Sequence, residues 1–315
     1  MTEGTLGVVV TEVGPESAAD VVAVVHGAFG PRPELDPPST AMAETKESVE
    51  AALTRSGGLL AKVDGVPVGA LLLGRVEESL LLTRVSVLPE HQSSGVAQAM
   101  AVSAEDVARR RGLPRVQLSA RVELPATVRF WEKGGYREVR REGPLLTMAK
   151  ELAVSCEAPS GDAMRELGRR LASVLRAGDV VILSGDLGAG KTTLAQGLGE
   201  GLQVRGGITS PTFVISRVHP SLVGGPALVH VDAYRLGGLA ELDDLDLDVS
   251  VDESVTVVEW GEGIAEGLAD DRLEVTITRT TGARTEGSEG SEVRTVRITP
   301  VGARWVGSGV AHAVG

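Results

Sequence analysis

The nine residues Gly185-Asp186-Leu187-Gly188-Ala189-Gly190-Lys191-Thr192-Thr193 constrain this chain more than any other stretch. They fit the pattern G-x-x-x-x-G-K-[ST], with Gly185, Gly190, Lys191 and Thr192 at the fixed places. Ahead of them, Val180 to Leu183 is a short β-branched apolar run that reads as a buried strand. Behind them, Leu194, Leu198 and Leu202 recur every four residues, as on one face of a helix. Strand, glycine loop and helix are the context the pattern requires. Backbone N–H groups free to turn inward at Gly188 and Gly190 make a concave anion site at the positive end of the helix. Lys191 suits the β- and γ-phosphates and the Thr192 hydroxyl suits Mg²⁺, so the predicted ligand is a nucleoside triphosphate.

Two carboxylates support this. Ala227 to Val231 reads as a strand that stops at Asp232, and Val255 to Val258 as one that stops at Glu259. Acids at the ends of apolar strands are where a nucleotide-binding α/β sheet presents ligands for a metal or orients water. Between them and the loop, Gly206 to Phe213 gathers glycines and hydroxyls (Thr209, Ser210, Thr212) placed to sense a γ-phosphate. His230 reads as a packed or hydrogen-bonded histidine, because no second histidine is spaced to share an ion with it.

A length of 315 residues suggests two domains, and a chain 42% hydrophobic but 3% aromatic must build aliphatic cores. Cys156 is the single cysteine, so an internal disulfide is excluded. No stretch resembles a signal peptide or a membrane span, and a soluble cytoplasmic protein is expected. Residues 1–155 carry 17 Lys and Arg against 20 Asp and Glu, and residues 156–315 carry 14 against 23. The acidic second half argues against a broad nucleic-acid face, so RNA would be held by a partner and DNA is not expected.

In the first half, Thr5 to Glu12 reads as an edge strand and Ser17 to Phe29 as a helix capped by Ser17. Pro31 to Ser39 holds four prolines and is a loop, and Leu59 to Val63 with Val68 to Leu73 flank Asp64-Gly65 as a hairpin. After the strand Leu80 to Leu88 comes His91-Gln92-Ser93-Ser94-Gly95-Val96-Ala97, then a helix to Arg111. The pattern Q-x-x-G-x-A between strand and helix turns the amides of Gln92 to Ala97 toward a pyrophosphate. Arg109, Arg110, Arg111 and Arg115 form a basic cluster that reads as a solvated helix end. A further strand, Arg115 to Ala120, and helix, Pro125 to Lys133, lead to Gly134-Gly135-Tyr136.

That run resembles the GNAT-type N-acetyltransferases from about Val8 to Leu152. The resemblance implies a mixed α/β fold holding acetyl coenzyme A on Val87, Gln92, Ser93, Ser94, Gly95, Val96 and Ala97. Many members carry a tyrosine that protonates the leaving thiolate where this chain has Trp131, and an indole N–H is a far poorer acid.

The second half, read as GDLGAGKTTLAQGL, TSPTF, HVDAYRL and VEWGE in that order, resembles the TsaE family of bacterial ATPases serving tRNA threonylcarbamoyladenosine formation. By position the resemblance implies a P-loop NTPase α/β fold with ATP on Gly188, Ala189, Gly190, Lys191, Thr192 and Thr193 and Mg²⁺ on Thr192 and Glu259. It implies hydrolysis supported by Lys191, Asp232 and Glu259, Trp260 beside the site, and Ser160 toward the adenine. It also implies partners, a threonylcarbamoyl transferase subunit and its paralogue (TsaD and TsaB type), with tRNA met only through them. A small-molecule kinase uses the same loop, although Glu241 to Glu253 is a run of acids rather than an arginine-rich lid. A module that ATP locks for partner binding, with a degenerate acetyltransferase domain, is the other class.

The expected organisation is an acetyltransferase-like domain over 1–152, a linker over 153–159 carrying Cys156 as a bystander, an ATPase domain over 160–307 and a disordered tail from Ser308. Ser160 to Arg176 is predicted to be an amphipathic helix, Val214 to Val218, Leu273 to Thr278 and Val293 to Ile298 strands, and Arg279 to Val293 a polar mobile loop.

Overall fold

The computed structural model describes residues 7–32, 35–211, 216–235, 253–279 and 293–315. The chain divides into two compact units, Met1–Leu152 and Ala153–Gly315.

The first unit contains β1 (Val8–Val13), α1 (Ala18–Phe29), α2 (Lys46–Ser56), β2 (Gly58–Val63), β3 (Val66–Val76), β4 (Ser79–Val87), α3 (Val96–Arg110), β5 (Arg115–Arg121), α4 (Pro125–Lys133), β6 (Arg137–Glu142) and β7 (Leu145–Glu151). Its seven-stranded sheet runs β1-β2-β3-β4-β5-β7-β6. The β2–β3 turn carries Asp64 and Gly65 at φ 50° and 81°, the left-handed pair that matches strand twist in a two-residue hairpin. β4 and β5 are parallel, but their pairing stops at Leu82 and Leu118 while both strands run on, so the sheet opens a notch at their carboxyl ends.

The second unit contains β8 (Val154–Ala158), α5 (Gly161–Ala172), β9 (Val180–Ser184), α6 (Lys191–Gly201), β10 (Ser216–His219), β11 (Ala227–Asp232), β12 (Ser254–Glu259), β13 (Arg272–Arg279), β14 (Arg294–Val301) and α7 (Val310–Val314). The sheet order is β10-β11-β12-β9-β13-β14-β8, with β11, β12, β9 and β13 parallel. Every residue of β9 and β12 is buried, as parallel strands covered on both faces require. Helices α5 and α6 pack backbone to backbone through glycine. A Cβ on Gly168 would lie 2.5 Å from the Leu194 carbonyl oxygen, and one on Gly197 would run into the Arg165 carbonyl.

Several expectations are corrected. The segment 153–159 contains a strand rather than a linker: β8 pairs with β14, so Cys156 faces Val296 across a ladder, and burial pushes its thiol pKa up. The tail is ordered as α7, with Val310 and Val314 buried in the core and the preceding Trp305 fully enclosed. Arg304 holds the tail to the sheet by a two-pronged ion pair with Asp179, at 2.9 and 3.0 Å. Ser17 stands at the start of α1 without a capping hydrogen bond, because the chain enters through a single tight turn at Pro15–Ser17. Helix α5 stops at Ala172, short of Arg176, and Ser160 caps it by accepting from the Ala163 amide at 3.1 Å. The arginine cluster is the solvated helix end that was expected: Arg109 and Arg110 lie exposed in the last turn of α3, where Arg110 and Arg111 pair with Glu12 and Arg109 with Asp106, while Arg115 pairs with Glu151. Thr212 and Phe213, most of the acidic run from Glu241, and the loop 280–292 lie outside the described residues.

Candidate functional site

The phosphate loop joins β9 to α6. Gly185, Gly188 and Gly190 hold φ of 140°, 74° and 114°, a region that side chains disfavour, and a Cβ on Gly185 would run into the Ile277 carbonyl. Lys191 opens α6 and is buried. Its Nζ donates to the carbonyls of Gly185 at 2.7 Å and Asp186 at 3.0 Å and lies 3.5 Å from the centre of the Trp260 ring. Burial holds the Lys191 pKa below the ordinary lysine value, partly offset by the charges of Glu259, Asp232 and Asp186.

The sheet brings both predicted acids to this loop. Asp232 and Glu259 are register partners at the ends of β11 and β12, and Glu259 is in turn opposite Leu183 of β9. The Thr192 hydroxyl donates to the Glu259 carboxylate, with Oε1 at 2.8 Å and Oε2 at 3.1 Å. A hydroxyl beside a carboxylate offers the hard oxygen donors that Mg²⁺ takes alongside phosphate oxygens, so these residues fit that ion. Among the described residues no group of three or more His, Cys, Asp or Glu is arranged to hold a metal without such help. Asp232 accepts from the Ser210 hydroxyl at 3.0 Å and from the Tyr234 amide at 3.1 Å, which ties the hydroxyl-rich segment to this carboxylate.

His230, fully buried two residues before Asp232, places Nε2 2.9 Å from Glu259 Oε1. A carboxylate only accepts, so Nε2 carries the proton. Trp260 follows Glu259 in a left-handed conformation, φ 62°, with its amide bonded to the Leu183 carbonyl at 2.9 Å. Its ring lies 5.1 Å from that of Tyr234. Such a conformation is costly for a bulky residue and is typical of functional sites. Ser160 caps the start of α5, and the next residue, Gly161, comes near the loop helix: a Cβ there would be 4.0 Å from the Thr193 methyl.

In the first unit a cavity of about 330 Å³ is lined by Val87, His91, Gln92, Ser93, Gly95, Ala97, Gln98 and Phe130. Gly95 adopts φ 86° to start α3. Five of the seven residues expected to hold acetyl coenzyme A line this cavity. Val96 instead packs into the core, where it fills the space a side chain on Gly69 would need, and the Ser94 hydroxyl is turned to the His91 carbonyl at 2.6 Å. Trp131 is buried between Phe130 and Tyr136, with ring centres 5.0 and 4.9 Å away, and does not line the cavity. His91, Gln98 and Phe130 line it without having been expected to; the helical spacing of Phe130 from Pro125 carries no sign of which face meets the notch.

The family model for the threonylcarbamoyl adenosine biosynthesis protein TsaE matches residues 158–286. The tRNA threonylcarbamoyladenosine biosynthesis protein TsaE of Streptomyces coelicolor is 63% identical over 153 residues, which are 48% of this chain and 100% of that protein. The chain belongs to the TsaE family. The TsaE protein of Bacillus subtilis is 36% identical over 142 residues, 45% of this chain and 82% of that protein. The TsaE match spans the phosphate loop, Asp232 and Glu259, so the phosphate-loop geometry lies within the family segment. The acetyltransferase (GNAT) family model matches residues 27–136, so the first unit carries a domain of that family. The N-acetyltransferase PaiA of Thermoplasma acidophilum, solved in complex with coenzyme A, is 18% identical, covers 46% of this chain and 99% of its own, and has a TM-score of 0.42. No described helix is long and apolar enough to cross a membrane.

Proposed function

We propose that the second unit binds and hydrolyses ATP in support of tRNA threonylcarbamoyladenosine formation. In this reading it acts in the cytoplasm with a threonylcarbamoyl transferase subunit and its paralogue, of the TsaD and TsaB type. The observation that carries the reading is the convergence of Thr192, Glu259 and Asp232 on one phosphate loop. The inward amides of Gly188 to Thr193 bind the phosphates, and Lys191 exchanges its two carbonyl contacts for phosphate oxygens. Thr192 and Glu259 would hold Mg²⁺, which when bound neutralises phosphate charge. Asp232, kept in place by Ser210 and the Tyr234 amide, orients the attacking water and accepts its proton. Ser160, which caps α5, is assigned in this proposal to the adenine.

The first unit, in the same proposal, is an acetyl-coenzyme-A-dependent N-acetyltransferase domain with the cofactor in the cavity at the β4–β5 notch. Burial of Trp131 means that no acid at that position reaches the thiolate, so transfer relies on another group or on water.

The test is Asp232→Ala in the full chain. ATP affinity measured by calorimetry should be retained while phosphate release is lost. Retained turnover, or an equal loss of affinity, overturns the assigned role.

A further inference from the structure

The phosphate loop is gripped from outside its own motif. Arg279, the last residue of β13, donates from Nη2 to the carbonyls of Gly188 at 2.8 Å and Leu187 at 3.2 Å. The grip is close: a Cβ on Gly188 would lie 2.5 Å from that nitrogen. Arg279 stands opposite Arg294 in the β13–β14 ladder, and β13 also pairs with β9, the strand that feeds the loop. The guanidinium is therefore carried by the same sheet that carries the loop.

Peptide geometry gives this contact a consequence. In a trans peptide the carbonyl and the following N–H point in opposite directions. Drawing the Leu187 carbonyl outward to Arg279 turns the Gly188 N–H the other way, into the concavity where phosphate binds. The Gly188 carbonyl is drawn outward too, and the next amide, Ala189, closes the turn on the Asp186 carbonyl at 3.0 Å. That same Asp186 oxygen accepts from Lys191. The tip of the loop is thus fixed on its outer side by Arg279 and from within by Lys191.

We infer that Arg279 is a positioning residue for polyphosphate binding, acting through the Leu187 and Gly188 carbonyls to keep the loop amides aimed at the ligand. This rests on the nucleotide-binding reading above. The effect belongs to the loop, so it applies to the polyphosphate alike in ATP and in inorganic tripolyphosphate. Arg279 is exposed and its removal leaves no buried group without a partner, so the fold is expected to survive its replacement.

The experiment measures the affinity of the full chain and of Arg279→Ala and Arg279→Lys for ATP and for inorganic tripolyphosphate by calorimetry, with melting temperature as the control. Arg279→Ala should weaken both ligands by the same factor, about tenfold, the scale of one charge-assisted hydrogen bond, with the melting temperature unchanged. Arg279→Lys should recover only part, since an ammonium lacks the planar fork. Unchanged affinity in Arg279→Ala overturns the inference, as does a loss confined to ATP, which would make Arg279 a contact to the nucleoside. Full recovery by lysine also overturns it, because charge alone would then suffice. A parent chain that binds neither ligand overturns both this inference and the nucleotide-binding reading beneath it.

Discussion

His230 Nε2 lies 2.9 Å from Glu259 Oε1, the same oxygen that accepts from Thr192 at 2.8 Å. Two donors converge on one oxygen, leaving Oε2 as the less committed of the pair, at 3.1 Å from the hydroxyl. Hydrogen bonds of this kind orient a metal-binding group and set its basicity. His230→Ala should raise the Mg²⁺ concentration needed for tight ATP binding by about 10- to 100-fold, with metal-free ATP affinity unchanged. Gln at this position, a neutral donor, should recover part of the loss. Calorimetric titrations with and without Mg²⁺ check this; equal weakening under both conditions would show that His230 serves the loop rather than Glu259.

Lys191 rests against the Trp260 ring at 3.5 Å, and a triphosphate bound as proposed would compete for the same ammonium. The chain has three tryptophans, and Trp131 and Trp305 are buried in cores. ATP should therefore change tryptophan emission through Trp260, and Trp260→Phe should abolish the change while binding persists. A change of equal size in Trp260→Phe would place the signal elsewhere.

Glycine at 168 is a packing requirement of the α5–α6 pair rather than a turn residue. Gly168→Ala drives a methyl against the backbone of Leu194, Gly197 and Leu198, at 2.5 to 2.8 Å. A loss of about 1–3 kcal/mol in the stability of the second unit is expected. Urea denaturation followed at Trp305 measures it; a change under 0.5 kcal/mol would mean that the helices separate without cost.

Ending the chain at Ser308 removes Val310 and Val314, both buried against the core. A loss of about 2–4 kcal/mol is expected from their combined burial. Unaltered stability would show that the tail does not contribute to folding.

Much of the proposed nucleotide site is legible in the sequence because its physics is local. A glycine loop needs particular residues in succession, and an acid at the end of an apolar strand announces itself within six residues. Contacts across the sheet were not. Nothing near Arg279 in the sequence shows that β13 will set it over Gly188, and His230 meets Glu259 only because β11 lies beside β12 in parallel register. Strand β8 reads as a connector because an edge strand with alternating Val154, Cys156 and polar neighbours shows no apolar run. Helix α2 buries only Val49 and Leu53, too thin a stripe to read, and its start is set by a reciprocal Thr45–Ser48 cap in place of the usual acid. The tail is fixed by Arg304 to Asp179, 125 residues away.

In the proposed function this phosphate loop powers tRNA modification. The measurement that tests it is the level of threonylcarbamoyladenosine in digested tRNA, by mass spectrometry, from cells whose only copy carries Lys191→Ala. That change removes the buried ammonium poised over the loop and should abolish nucleotide-driven turnover. Loss of the modification with the protein still present is expected. An unchanged level at normal abundance would contradict it.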